Sequence, residues 1–190
     1  MPQDVAQLVT AARDGDRSAF DELVRATYAD TFTLALRLTG NEEDARDVVQ
    51  EAYLRAFRGL SRFRGDAQFS TWMYRITANC ANTHLGKRTK HRHEVLDDAH
   101  PVADDRPAVD PQLQADASAL RSRLTGALDR LPPKLRQVVV LRDIYDLPHE
   151  AIAAELGISE TAAKVRLHRA RKKLRDDLFP PKDEEAADAV

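Results

Sequence analysis

Leu147-Pro148-His149-Glu150-Ala151-Ile152-Ala153-Ala154-Glu155-Leu156-Gly157-Ile158-Ser159 sets the architecture of the chain, together with the basic run that follows it. Pro148 suits the first turn of a short helix, where its missing N–H would be unpaired in any case. Ile152, Ala153 and Leu156 give that helix one apolar face, and Ala153 is small enough for a second helix to cross closely. Gly157 can take the positive φ that ends a helix, and Ser159 can cap the next one with Glu160 at its positive end. A helix, a tight turn carrying glycine and a second helix form a helix-turn-helix.

In that second helix Ala163, Leu167, Ala170, Leu174 and Leu178 share one stripe at 100° per residue. Thr161, Lys164, Val165, His168, Arg171, Lys172 and Arg175 fall on the opposite side. From Ser159 to Leu178 seven Lys/Arg stand against three acids. Charge alone would fit an ordinary solvated basic helix. The turn that presents the helix and the one-sided charge point instead to a reader of the DNA major groove.

Working outward, 190 residues make one large or two small domains. The net charge of −2 hides an uneven distribution. Lys+Arg against Asp+Glu runs 14 to 13 over residues 1–95, 1 to 5 over 96–112, 13 to 9 over 113–179 and 1 to 4 over 180–190. The positive excess sits in the C-terminal part between two acidic stretches. A single cysteine rules out an internal disulfide and fits a reducing compartment. Met1-Pro2-Gln3-Asp4 opens no secretory signal pattern, and no run of about 18 apolar residues spans a membrane. A cytoplasmic protein is expected.

The N-terminal part reads as four helices. Val5 to Arg13 carries Val5, Leu8, Val9 and Ala12 on its apolar side. Arg17 to Thr39 carries Phe20, Leu23, Val24, Tyr28, Phe32, Ala35 and Leu38. Gly40 stops it, and Asn41 caps a third helix that opens on Glu42-Glu43-Asp44 and runs to about Phe57. Ala45, Val48, Val49, Ala52, Tyr53 and Ala56 form the inner stripe of that helix. Its outer face gathers Asp47, Gln50, Glu51, Leu54 and Arg58. Leu54 there is either a lone exposed leucine, which needs no explanation, or the centre of a small protein-docking patch.

After a loop over 59–68 with Arg62 and Arg64, Phe69 to about Arg88 forms the fourth helix. Phe69, Trp72, Met73, Ile76 and Cys80 share a stripe, and Arg75, Asn79 and Asn82 share the polar face beside it. Lys87, Arg88, Lys90 and Arg92, with His84, His91 and His93, make a cationic end. Aromatics next to such a face suit both a core and a single-strand binding surface.

Residues 96–112 are acidic and proline-bearing without an apolar period, as in a flexible linker. Pro111 then begins a helix to about Arg130. A further helix covers Lys134 to Asp143, with Val138-Val139-Val140-Leu141 partly buried from several sides, and the helix-turn-helix completes a four-helix domain. Pro180-Pro181 ends the last helix, and the acidic tail over 180–190 is expected to be disordered. No strand-type alternation or phosphate-binding glycine loop is present. The expectation is therefore an all-α protein of two small helical domains joined by a flexible acidic linker. Cys80 and His84 stand at i and i+4, but Cys80 belongs to an apolar stripe and no third or fourth ligand has suitable spacing. No metal, cofactor or catalytic group is expected.

Three segments in order resemble the extracytoplasmic-function (ECF) sigma factors of bacterial RNA polymerase. Asp44-Ala45-Arg46-Asp47-Val48-Val49-Gln50-Glu51-Ala52-Tyr53-Leu54-Arg55-Ala56-Phe57 resembles the polymerase-binding helix of sigma region 2. Phe63-Arg64-Gly65-Asp66-Ala67-Gln68-Phe69-Ser70-Thr71-Trp72-Met73-Tyr74-Arg75-Ile76 resembles the stretch leading into −10 melting. Leu131-Pro132-Pro133 to Asp143, with the helix-turn-helix, resembles region 4.

The resemblance implies region 2 over 1–95 and region 4 over 113–179. It implies that Asp47, Gln50, Glu51, Leu54 and Arg58 dock on the β′ clamp helices of core RNA polymerase, with the β flap a second contact. Asn79 would take a flipped −10 base, with Arg75, Asn82, Lys87 and Arg88 beside it. Lys164, Val165 and His168 would read −35 bases, with Thr161 and Lys172 on the same face and Arg166, Arg169 and Arg171 on phosphates. It implies promoter DNA and a cognate anti-sigma factor as partners, and requires no homo-oligomer. Two departures stand out: Pro148 where a Ser or Thr cap is usual, and Ala162-Ala163-Lys164-Val165 in place of Thr-Val-Lys-Ser. An operator-binding regulator would need a dimer interface for two half-sites, and no spare apolar helix offers one. A protein-binding adaptor would leave the basic helix unexplained.

Overall fold

A computed structural model describes residues 5–63, 65, 68–92 and 111–179. The expected linker core and acidic tail lie outside the described residues. Among the described residues eight α-helices follow one another: α1 (Val5–Arg13), α2 (Arg17–Thr39), α3 (Glu42–Gly59), α4 (Phe69–Arg92), α5 (Pro111–Asp129), α6 (Pro133–Val139), α7 (His149–Leu156) and α8 (Glu160–Leu178). A 3-10 turn, Leu60–Arg62, follows α3, and a π-helical turn, Val140–Ile144, follows α6.

The ends of these helices are fixed locally. Asp16 caps α2 by accepting from the N–H groups of Ser18 and Ala19, a cap the sequence reading missed. Gly40 ends α2 at φ 79°, as its lack of a Cβ allows. The Asn41 carboxamide accepts from the Asp44 N–H and donates back to the Asp44 carboxylate, both at 2.8 Å. This reciprocal cap starts α3.

Helices α2, α3 and α4 pack on one another, with α1 chiefly against α2. All six residues of the α3 inner stripe are buried, together with Leu23, Leu34 and Leu38 of α2 and Met73 and Cys80 of α4. The Tyr53 hydroxyl reaches the hydroxyls of Thr27 (2.9 Å) and Thr31 (3.1 Å), so the polar atoms in that core are satisfied. Tyr28 departs from its expected inward place: it is exposed and stacks on Phe32 one turn away, at 6.0 Å. Phe69 is 6% exposed and belongs to the core. Trp72 is half-buried between Phe69 and Phe63, which withdraws Phe69 from any stacking role.

The Cys80 thiol is pushed up to about 11, chiefly by burial. His84 is taken up by Asp44, at 2.8 Å. Alkylation of Cys80 at pH 8 should therefore be at least about a hundredfold slower in the native protein than after denaturation, because the thiolate is the reacting species. Mass spectrometry of timed iodoacetamide reactions checks this, and equal rates would contradict the burial.

In the C-terminal part α6 and α7 pack across α8, with α5 along its end. The helix expected to reach Asp143 widens into the π-helical turn after Val139, the Tyr145 N–H bonding five residues back to the Val140 carbonyl. This turn swings the chain so that Leu147 is buried and Pro148, expected within the first turn of α7, stands just before it as the N-cap, the helix starting at His149. Val138 to Leu141, expected to be partly buried, are all buried. The two units share one continuous apolar core.

Candidate nucleic-acid and polymerase interfaces

The helix-turn-helix is built as the sequence requires. Gly157 has φ 63° and its N–H returns to the end of α7. The Ser159 hydroxyl accepts from the Ala162 N–H at 3.1 Å and starts α8. Ala163, Leu167 and Ala170 are buried, so the opposite face of α8 is forced outward. Thr161, Lys164, Val165, His168, Arg169, Arg171 and Lys172 are exposed there, and Arg166 is half-buried.

Two of these cations already have partners. Lys164 pairs with Glu160 one turn earlier at 2.7 Å. Arg171 makes a two-pronged contact to Asp143 on the π-helical turn, at 2.6 and 3.0 Å, which holds its guanidinium above its ordinary pKa. Exposed pairs of this kind are weak and screened by salt. Asp143 also fixes where Arg171 stands. Sequence reading missed this role, because nothing local relates positions 143 and 171.

On α3, Asp47, Gln50, Leu54 and Arg58 are exposed and Glu51 is half-buried. Leu54 is 44% exposed, and Phe57, one turn on, is 50% exposed with its inner edge against Phe20 at 5.0 Å. The apolar centre of this face is thus two side chains wide. The i+3 spacing was the available signal for Phe57. Arg55 donates to Glu51 at 2.6 Å, and this hydrogen bond is the main reason the Glu51 carboxyl lies below its usual range. The same guanidinium donates to the Asn79 carboxamide oxygen at 2.9 Å and so joins this face to α4.

On α4, Arg75, Asn79 and Asn82 do share a face, and α7 lies against it. Arg75 pairs with the Glu155 carboxylate at 2.9 Å. Asn79 and Asn82 donate to the Glu155 and Leu156 carbonyls at 3.4 and 3.3 Å. Lys87 is exposed one end along, and the Arg88 side chain lies outside the described residues. Among the described residues no group of three or more metal-ligating side chains comes together, and no helix is long and apolar enough to cross a membrane.

Comparison with known proteins agrees with this arrangement. Sigma-70 region 2 matches residues 23–91, and Sigma-70, region 4 matches residues 121–174. The ECF RNA polymerase sigma factor SigE of Mycolicibacterium smegmatis is 39% identical over 181 residues, covering 92% of this chain and 68% of that relative. The RNA polymerase sigma-H factor of Pseudomonas aeruginosa is 32% identical over 180 residues, covering 92% and 93%. Among solved structures, CnrH in complex with the cytosolic domain of CnrY aligns at TM-score 0.56 and 26% identity, covering 92% and 97%. RpoE in complex with the anti-sigma factor NepR from Bartonella quintana aligns at TM-score 0.65 and 20% identity, covering 86% and 98%, and supports the fold. A region 2 helical unit, a region 4 helix-turn-helix and near full-length relatives converge on one identity: the chain belongs to the ECF sigma factors, the alternative sigma factors that direct RNA polymerase to promoters.

Proposed function

We propose a division of labour within this sigma factor that follows the two faces described above. The unit over residues 1–95 docks on the β′ clamp helices of core RNA polymerase through Asp47, Gln50, Glu51, Leu54 and Arg58, with Phe57 enlarging the apolar centre. Its α4 face, Arg75, Asn79 and Asn82 with Lys87 and Arg88, takes the melted −10 strand. The unit over 113–179 contacts the β flap and reads the −35 element through Lys164, Val165 and His168, with Thr161 and Lys172 beside them and Arg166, Arg169 and Arg171 on phosphates. Residues 96–112 tether the two, and 180–190 form an acidic tail. The protein supplies specificity to the polymerase in the cytoplasm and performs no bond chemistry of its own. CnrH, 26% identical, is solved in complex with the cytosolic domain of CnrY, and a regulatory protein partner, a cognate anti-sigma factor, is proposed for this chain as well.

The observation that carries this reading is the pairing, on one chain, of an exposed Leu54–Phe57 patch ringed by polar groups with a capped basic helix whose apolar side is buried. Core polymerase incubated with a genomic promoter library, with and without the protein, tests it. Initiation at a defined promoter set only with the protein is expected. Within that set, Lys164→Ala or His168→Ala should shift base preference at one or two −35 positions by about 1–3 kcal/mol. A uniform loss over all sequences would make them phosphate contacts, and initiation without the protein would remove the reading.

A further inference from the structure

The −10 face of α4 is satisfied from within the chain. The last carbonyls of a helix have no intrahelical partner and need donors from elsewhere. At the end of α7 those of Glu155 and Leu156 take the carboxamide N–H groups of Asn79 and Asn82. The Glu155 carboxylate takes Arg75. The Asn79 oxygen is engaged by Arg55, so both ends of that carboxamide are in use. A carboxylate on an arginine and carbonyl oxygens on two carboxamides are the chemistry that a phosphate and a base edge would offer the same side chains.

Further contacts hold the arrangement. Tyr145, just after the π-helical turn, sets its ring against Tyr74 of α4 at 4.6 Å and receives a hydrogen bond from Arg37 of α2 at 3.3 Å. The buried Arg136 guanidinium of α6 lies against Gly40 at the end of α2, where a Cβ would meet it at 2.0 Å. The basic side of α8, by contrast, is exposed, and its pairs Lys164–Glu160 and Arg171–Asp143 lie within its own unit.

We infer that α7 occupies the −10-reading face of α4 in the free protein, with Glu155 and the α7 C-terminal carbonyls standing in for the DNA strand, so that −10 binding requires the two units to part. The inference rests on the assignment of α4 to the −10 strand. A competent state that is only fractionally populated weakens apparent affinity by that fraction. Opening the contact should therefore strengthen −10 binding without any new DNA contact.

The test uses the full chain with fluorophores on Glu22→Cys and Lys173→Cys, both exposed positions, one on each unit. Wild type should show high energy transfer, and Glu155→Arg should lower it at unchanged helical content. The swap Arg75→Glu with Glu155→Arg should restore it. Affinity for the single-stranded −10 oligonucleotide of a promoter recovered in the library assay is read by anisotropy. Glu155→Arg should bind about 5- to 10-fold more tightly than wild type, within the range of ordinary coupling between sites. Glu150→Arg makes the same charge change at the exposed first turn of α7 and sets the purely electrostatic gain, which should be smaller. Transfer that does not respond to Glu155→Arg would overturn the contact. A loosened contact with no gain over Glu150→Arg would overturn the assignment of that face to the −10 strand. Either result removes the inference, and the two are distinguishable.

Discussion

Leu54→Asp is expected to lower affinity for core RNA polymerase by at least about a hundredfold while leaving the fold intact. Leu54 is 44% exposed and sits among Asp47, Gln50 and Glu51 on the outer face of α3. Burying a leucine against a partner is worth about 1.5–3 kcal/mol. Leaving an unpaired polar group at a desolvated contact costs about 1–3 kcal/mol more. Together these amount to about two to four powers of ten in affinity. The cost to the free protein should stay within about 0.5 kcal/mol, because the side chain does not enter the core. Phe57→Asp would be a poorer test, since that ring also packs on Phe20. Co-purification with core polymerase, read beside circular dichroism, gives the answer. Normal binding, or loss of helix, would contradict the docking assignment.

Asn79→Ala should slow promoter opening by about 10- to 100-fold at near-normal polymerase binding. A carboxamide pairs its donor and acceptor with one base edge, and such a contact discriminates by about 1–3 kcal/mol. Extrusion of a base costs a few kcal/mol, so the penalty falls on the opening step and spares the closed complex. The structure makes this prediction sharper. The same substitution removes one donor to the Glu155 carbonyl and unties the Arg55 guanidinium, which loosens the resting contact and by itself would favour opening. Slowed opening despite a looser resting state isolates the base contact. A promoter pre-melted at −10 should recover most of the lost rate, because unpairing has already been done. Unchanged opening kinetics, with unchanged preference at every −10 base, would make Asn79 a residue of the interdomain contact alone.

Read from residues alone, the helices and their ends come through well. Asn41, Ser159, Gly40 and Gly157 act within three or four positions of themselves, which is the range over which capping and glycine conformation operate. The inner stripes of α3 and α8 are equally local, since a 3.6-residue period needs no knowledge of the partner. These elements, with the one-sided charge of α8, specify an all-α chain ending in a helix-turn-helix, and their order carries the family resemblance.

Other features depend on which surfaces meet. Tyr28 fits the apolar period of α2, yet the buried residues Leu23, Thr31, Leu34 and Leu38 centre on a neighbouring face of that helix, and Tyr28 at its edge stays exposed. The π-helical turn at Val140–Ile144 leaves no mark in local propensity; it is where a wide turn brings Asp143 to Arg171 and Leu147 into the core. The acidic stretch over 96–112 reads as a tether between independent units, while Tyr145 on Tyr74, Arg136 on Gly40 and α7 on α4 join those units through one continuous core. Contacts of this kind pair residues about 70 to more than 100 positions apart, and each is individually weak. A single sequence encodes the donors and acceptors but not their partners: Asn79 reads as a group able to bind DNA, and its placement against Glu155 follows from the packing of α7 on α4.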